Sequence, residues 1–253
     1  MKTIAILIPC HNEEHGIARV INGLPAAALR DRGYITKIVV IDNNSTDKTA
    51  EVATSHGAEV IVERAKGKGN ALIAGFKHVQ NECDYVAIID GDNTYKLREV
   101  MRLIEPLESG FCDVVAGSRL SGKTKAGSLT FSHRAVNWAF AFFVRQFYQS
   151  NVTDVLTGFI AMKADVVRTL IPNLKSTNFT IEMEMITKLN KLGFEMYSVP
   201  ITYDQRIGTS KVESLADGAR ILMMFINNLA WHPIKGSTMN RLKKRLSMSS
   251  KSS

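Results

Sequence analysis

Cysteine is scarce in this 253-residue chain, which has three: Cys10, Cys83 and Cys112. The number is odd, with no close pair and no Cys-x-x-Cys. That argues against a disulfide framework or a zinc site and fits a reducing compartment with buried thiols. Long apolar runs are missing as well. No uninterrupted stretch of about 18 apolar residues occurs, so no membrane span is expected. The N-terminal run Thr3–Ile8 breaks at once into Pro9-Cys10-His11-Asn12-Glu13-Glu14 and does not read as a signal peptide. There is no internal repeat, no GxGxxG and no Walker A sequence. Acid is in deficit, 24 Asp and Glu against 32 Lys and Arg, for a net charge of +8. Most of that excess sits in one place. The segment from Asn240 to Ser253 holds Arg241, Lys243, Lys244, Arg245 and Lys251 and no acid. The remaining body is only mildly basic, which argues against a nucleic-acid groove.

What is present is an alternation. Short Val- and Ile-rich runs at Ile4–Ile8, Ile38–Ile41, Glu59–Val62, Tyr85–Ile89 and Asp113–Ala116 read as strands. Helical windows near 13–23, 47–56, 69–80 and 96–109 separate them. This is the pattern of βαβ units and predicts an α/β fold around a mostly parallel sheet flanked by helices. Ser118 to Ser132 reads as a flexible Gly/Ser/Lys-rich loop. It precedes an aromatic helix over Arg134–Gln149, a strand over Gly158–Met162, a helix over 180–191 and a strand over 195–199. A C-terminal helical extension is expected from Val212 to Trp231, followed by a disordered tail. The organisation expected is a catalytic domain over 1–211 and a helix with basic tail over 212–253.

Ligands of such sheets bind beyond the carboxyl ends of the strands, where the polar clusters fall. Asp90-Gly91-Asp92 follows the buried run Val86–Ile89. Two carboxylates so close repel unless a cation sits between them, and a hard divalent ion takes carboxylate oxygens and substrate phosphates together. An ordinary Asp/Gly turn explains the tripeptide equally well. In Asp42-Asn43-Asn44-Ser45-Thr46-Asp47, one of the last three residues is expected to cap the next helix. Asp42 is left to accept a hydrogen bond from a nucleobase or ribose. Arg64-Ala65-Lys66-Gly67-Lys68-Gly69-Asn70 places cations and glycines before a helix and suits an anion; by itself it is also an ordinary basic loop.

Together these pieces resemble glycosyltransferase family 2 enzymes of GT-A fold. The resemblance rests on Ile8–Glu13, Ile41–Asp47, Gly67–Ala71 and Ile89–Asp92 in order and spacing. Gly117-Ser118-Arg119, Ser132-His133-Arg134, Asp154–Phe159 and Arg206–Lys211 look like the dolichyl-phosphate mannosyltransferase and polyprenyl-phosphate glucosyltransferase branch. The similarity covers roughly residues 3–212. It implies inverting transfer of a sugar from a UDP- or GDP-linked donor to a polyprenyl phosphate. By matched position, Pro9, His11, Glu13 and Asp42 would line the nucleotide pocket with Lys68. Asp90 and Asp92 would hold Mg or Mn, Asp92 the more directly. Arg119 and Arg134 would face the acceptor phosphate, and Arg206 and Lys211 the donor diphosphate. The frequent Asp-Ala-Asp-x-Gln of the family is Asp90-Gly91-Asp92-Asn93-Thr94 here, and His11 stands where an aromatic is common.

A lipid acceptor implies a chain bound peripherally to the cytoplasmic face of a membrane, and a homo-oligomer is compatible with that. The aromatic helix, the run Ile221–Ile226 with Trp231 and the basic tail suit an interface. Two other readings stay open. A soluble transferase acting on a hydroxyl would need a base, for which Asp154, Glu182 and Glu184 are candidates. A catalytically silent nucleotide or nucleic-acid binder would explain the net positive charge but not two carboxylate clusters at strand ends.

Overall fold

The computed structural model describes residues 1–207 and 214–233. In chain order the elements are β1 (Lys2–Cys10), α1 (Ile17–Asn22), α2 (Ala26–Asp31), β2 (Tyr34–Asp42), α3 (Thr49–Ser55), β3 (Glu59–Val62), α4 (Lys68–Val79) and β4 (Tyr85–Ile88). A 3-10 turn (Leu97–Glu99) then leads into α5 (Val100–Glu108), β5 (Val114–Thr124), α6 (Phe131–Tyr148), β6 (Ile160–Lys163), α7 (Ala164–Leu170), α8 (Ile181–Lys191), β7 (Met196–Tyr203) and α9 (Ser214–Ala230).

The strands form one sheet in the order β3-β2-β1-β4-β6-β5-β7. All neighbours run parallel except β6, which is antiparallel to both β4 and β5. The apolar runs alternate between two cores. Ala5, Leu7, Val39, Ile41, Val86 and Ile88 point to the face covered by α4, α6, α7, α8 and α9. Ile4, Ile6, Ile8, Val40, Ala87 and Ile89 point to the face under α1, α3 and α5. Strands buried on both faces must be apolar at every position, which is why they read as unbroken runs. Each Val, Leu and Ile among them contributes about 1.5–3 kcal/mol by burial.

The chain leaves β1 for β2 and β3 on one side, then returns to β4 on the other. The crevice between the exits of β1 and β4 is therefore the point where strand order reverses, the usual ligand position in this architecture.

Four elements depart from the sequence-based expectation. β5 continues through Ser118–Thr124, most of the first half of the segment expected to be a loop. After an irregularity it pairs with β7 again at Lys123–Thr202 and Thr124–Tyr203. β7 is correspondingly longer than expected. Two short helices, α2 and α7, lie where none was anticipated.

The C-terminal helix α9 shares the core with α8 and α6. Ile221 and Phe225 are buried in it. Phe225 O accepts from the Tyr148 hydroxyl (2.8 Å), Asn228 donates to Thr187 Oγ1 (2.8 Å), and Lys191 Nζ donates to the carbonyls of Leu229 and Trp231. The other faces of α6 and α9 are open. Phe131, Trp138, Phe142 and Phe147 on α6 are exposed, as are Met223 and Ile226 on α9, and Trp138 stacks on Phe142 with ring centroids 5.9 Å apart. The basic tail lies outside the described residues.

Candidate active site

A cavity of about 260 Å³ opens at the β1/β4 crevice. Its charged and polar lining comes from three directions: Glu13 after β1, Lys66 and Lys68 before and at the start of α4, and Asp90, Asp92 and Arg206 after β4 and β7. Pro9, His11, Asn43 and Phe179 complete the wall. Seven residues expected from the sequence thus meet in one place: Pro9, His11, Glu13, Lys68, Asp90, Asp92 and Arg206.

Each carboxylate of the Asp90–Asp92 pair is fixed by different partners. Asp92 is 3% exposed. Its Oδ1 accepts from the backbone N–H of Thr94 (3.0 Å) and from the Thr94 hydroxyl (2.6 Å), while Oδ2 meets Arg206 Nε at 2.9 Å. Thr94 therefore acts by orienting Asp92. Asp90 lies against Gly158 so closely that a Cβ there would sit 2.2 Å from Oδ2; only glycine leaves room for the carboxylate. Asp90 Oδ1 meets Lys68 Nζ at 2.7 Å.

Lys68 is held by two acids, with Glu182 Oε1 at 2.5 Å from the same ammonium. Burial lowers the Lys68 pKa, but Asp90 and Glu182 outweigh it and raise the ammonium above its ordinary range. Burial pushes the Glu182 carboxyl upward against the opposing pull of Lys68. The loop carrying Lys68 is clamped as well. Asn43 Oδ1 accepts from Gly67 N–H (2.7 Å), and its amide donates to the carbonyls of Glu63 and Ala65. On the far side Thr177 O accepts from Gly69 N–H at 3.1 Å. A Cβ on Gly67 would lie 1.9 Å from Thr177 O, and one on Gly69 2.1 Å from Ser176 O. These glycines exist for close backbone approach. The 175–176 backbone is anchored in turn by Glu184, which accepts from the N–H groups of Lys175 and Ser176 and pairs with Lys188.

Other expected residues lie elsewhere. Asp42 is buried beside the cavity, where Oδ1 accepts from Ser45 N–H at 3.2 Å; its neighbour Asn43 reaches the wall. Arg119 is buried below the site. Its Nε and Nη2 donate to the two oxygens of Asp154 at 2.8 Å each, and Nη2 also donates to Leu156 O. Burial raises the Asp154 carboxyl, yet the Arg119 guanidinium and the Asn137 amide hold it below the usual carboxylate range. Arg134 is exposed on the first turn of α6, 3.4 Å from Leu120 O. Lys211 lies outside the described residues. The N-cap position of α3 falls on Lys48, which makes no side-chain cap, rather than on Ser45, Thr46 or Asp47; Asp47, one residue earlier, accepts from the Thr49 N–H and hydroxyl.

Asn43 and Phe179 were not anticipated. Asn43 sits inside a polar run whose members look alike, and Phe179 precedes α8, far along the chain from the other motifs.

Among the described residues no three or more His, Cys, Asp or Glu side chains cluster as a complete metal cage. Two carboxylates with the remaining positions left to substrate phosphates and water is how Mg is commonly bound. The Asp90–Asp92 pair fits that manner of binding. Among the described residues no helix is long and apolar enough to cross a membrane.

The carboxylate pair lies at the switch point where ligands of such sheets bind, and sequence comparison identifies the family. The Glycosyl transferase family 2 profile matches residues 5–171, and the chain belongs to that family. It is similar to the low-salt glycan biosynthesis hexosyltransferase Agl6 of Haloferax volcanii, with 36% identity over 89% of this chain and 54% of that protein. Glycosyltransferase AglJ of the same organism is 34% identical over 87% of this chain and 70% of its own length. The chain thus spans about half the length of Agl6 and more of AglJ. An undecaprenyl-phosphate mannosyltransferase of Micrococcus luteus is 28% identical, covering 83% and 87% of the two chains. Among solved structures, glucosyl-3-phosphoglycerate synthase of Mycobacterium tuberculosis, in complex with Mn2+, UDP-glucose and phosphoglyceric acid, has the same GT-A fold. Its TM-score is 0.70 at 22% identity, over 93% of this chain and 82% of that one.

Proposed function

We propose that this chain transfers a hexose from a nucleoside-diphosphate sugar to a polyprenyl phosphate at a membrane surface. The observation that carries the reading is the convergence of Asp90 and Asp92 with Lys68 and Arg206 in one cavity. Negative charge grows on the leaving diphosphate as the glycosidic bond breaks, and preorganised cations that meet it are the main catalytic lever. Lys68 and Arg206 supply two such cations. Asp90 and Asp92 would hold Mg or Mn, which adds Lewis-acid stabilisation of the same charge when bound.

The state of the candidate bases supports a phosphate acceptor. A hydroxyl must lose a proton, so it needs a carboxylate with a free oxygen. Asp154 has both oxygens engaged by Arg119 and Asn137, Glu184 has both engaged by Lys188 and two backbone N–H groups, and Glu182 is buried with Oε1 against the Lys68 ammonium. A phosphate acceptor is already anionic and needs only placement, to which Arg is suited. Arg134 stands at the head of α6, whose open side carries Trp138, Phe142 and Phe147 with Arg145 exposed among them. Aromatics mixed with cations on one helix face suit the membrane interface. The undecaprenyl-phosphate specificity named for the Micrococcus relative supports the same acceptor class.

The test is an acceptor comparison. Purified protein with Mn2+ is given labelled UDP- and GDP-hexoses and either a short polyprenyl phosphate or the matching polyprenol. Transfer to the phosphate alone is expected. Transfer to the alcohol, or to a soluble sugar, would contradict the reading.

A further inference from the structure

The charges around the cavity are closely balanced. Glu13, Asp90 and Asp92 on its wall are matched one for one by Lys66, Lys68 and Arg206. A cavity so balanced has little attraction for a divalent cation. One more carboxylate touches this set from behind the lining. Glu182 Oε1 is 2.5 Å from Lys68 Nζ, the same ammonium that Asp90 Oδ1 meets at 2.7 Å. Its side chain is 8% exposed and stands on the first turn of α8.

Its surroundings hold Glu182 in register with Lys68. Ser176 and Thr180, just before α8, are hydrogen-bonded through their hydroxyls at 2.9 Å, and the same loop carries Thr177 O, which accepts from the N–H groups of both Gly69 and Asn70. The start of α8 and the start of α4 are thus one packed unit, and the Lys68–Glu182 pair lies at their junction.

We infer that Glu182 is a positioning carboxylate that shares the Lys68 ammonium with Asp90, so that Asp90 keeps the negative charge a divalent cation requires. This rests on the assignment of Asp90 and Asp92 as the carboxylates that would hold that cation. Without the Glu182 charge, Lys68 would neutralise Asp90 alone and the cavity would lose its surplus of acid. Removing Lys68 as well would restore the balance. Neither a direct ligand nor a general base at Glu182 predicts that reversal.

The experiment measures Mn2+ binding by electron paramagnetic resonance of the free ion. MnCl2 alone and MnCl2 with UDP or GDP are titrated into the full chain. For MnCl2 alone, Glu182→Gln is expected to weaken binding on the order of tenfold, the scale of one nearby charge. The Glu182→Gln/Lys68→Met double variant is expected to return close to the wild-type value. Glu182→Asp, which keeps the charge, is expected to stay within about threefold. The double variant replaces a buried pair by neutral groups, a change that is often neutral for folding, so it remains informative if the single variant does not fold. Unchanged binding in Glu182→Gln would overturn the inference, and so would a double variant as weak as or weaker than the single. Wild-type protein that binds no Mn2+ under any of these conditions would instead overturn the metal assignment on which the inference stands.

Discussion

Arg206 Nε lies 2.9 Å from Asp92 Oδ2, and the backbone around it is tied to the same loop. Ile207 N–H donates to Asp92 O at 3.1 Å and Asp204 N–H to Thr94 O at 2.8 Å. The exit of β7 is thereby joined to the exit of β4, and a cation is held where the leaving diphosphate would develop charge. Replacing Arg206 by Ala should lower kcat by about 10²-fold, the scale for losing one electrostatic contact to the transition state. Arg206 is partly exposed, while the buried Asp92 keeps its two bonds from Thr94, so the urea midpoint should fall only modestly. Steady-state kinetics beside an unfolding curve checks both.

The Arg119–Asp154 pair should behave oppositely. Both groups are buried and joined by two hydrogen bonds, so Asp154→Asn leaves an uncompensated guanidinium inside the protein. The expected loss is about 3–5 kcal/mol. The folded carboxyl lies below its unfolded value of about 3.9. Its contribution is therefore complete above that value and is lost as pH falls through the depressed folded pKa. Urea unfolding from pH 7 down to pH 3 should show a shallower acid decline in the variant than in the wild type.

Gly69→Ala would bring a Cβ to within 2.1 Å of Ser176 O. Backbone must move on one side or the other, and Lys68 sits on the moving segment. The expected result is a lower melting temperature together with weaker binding of UDP or GDP, by about tenfold on the scale of one misplaced charge–phosphate contact. Calorimetric titration of the nucleotides tests it; nucleotide binding that survives unchanged would separate Lys68 from the donor site.

On α6, Trp138 and Phe147 are 64% and 61% exposed. Trp138→Ser with Phe147→Ser should leave stability within about 0.5 kcal/mol per site, as exposed substitutions usually do. Co-sedimentation with anionic liposomes should fall severalfold, reflecting lost apolar burial in the interface. Equal liposome binding would assign that face another role.

Much of this was readable in the sequence because the chemistry follows the strand ends. Asp90-Gly91-Asp92 and the basic glycine loop each follow an apolar run, and runs buried on both faces are conspicuous. What was not readable depends on contacts across the chain. Ser118–Thr124 has loop-like composition, and its strand form comes from pairing with β7. The helix α2 buries a single residue, Leu29, and so leaves no periodic trace. The partnership of Lys68 with Glu182 joins the starts of two helices that neither motif nor spacing connects. Arg119 carried a motif, but its engagement by Asp154 appears only when β5 and the segment before β6 are brought together.

The most direct test of the account is turnover in Asp92→Ala. Asp92 is nearly buried, and its carboxylate meets both Thr94 and Arg206. With Mn2+, the sugar nucleotide that the wild type uses and a polyprenyl phosphate, transfer should fall by about 10³-fold or more. Circular dichroism should show an unchanged fold. Turnover that persists at the wild-type rate in a folded Asp92→Ala protein would contradict the assignment of Asp90 and Asp92 as the metal–diphosphate centre.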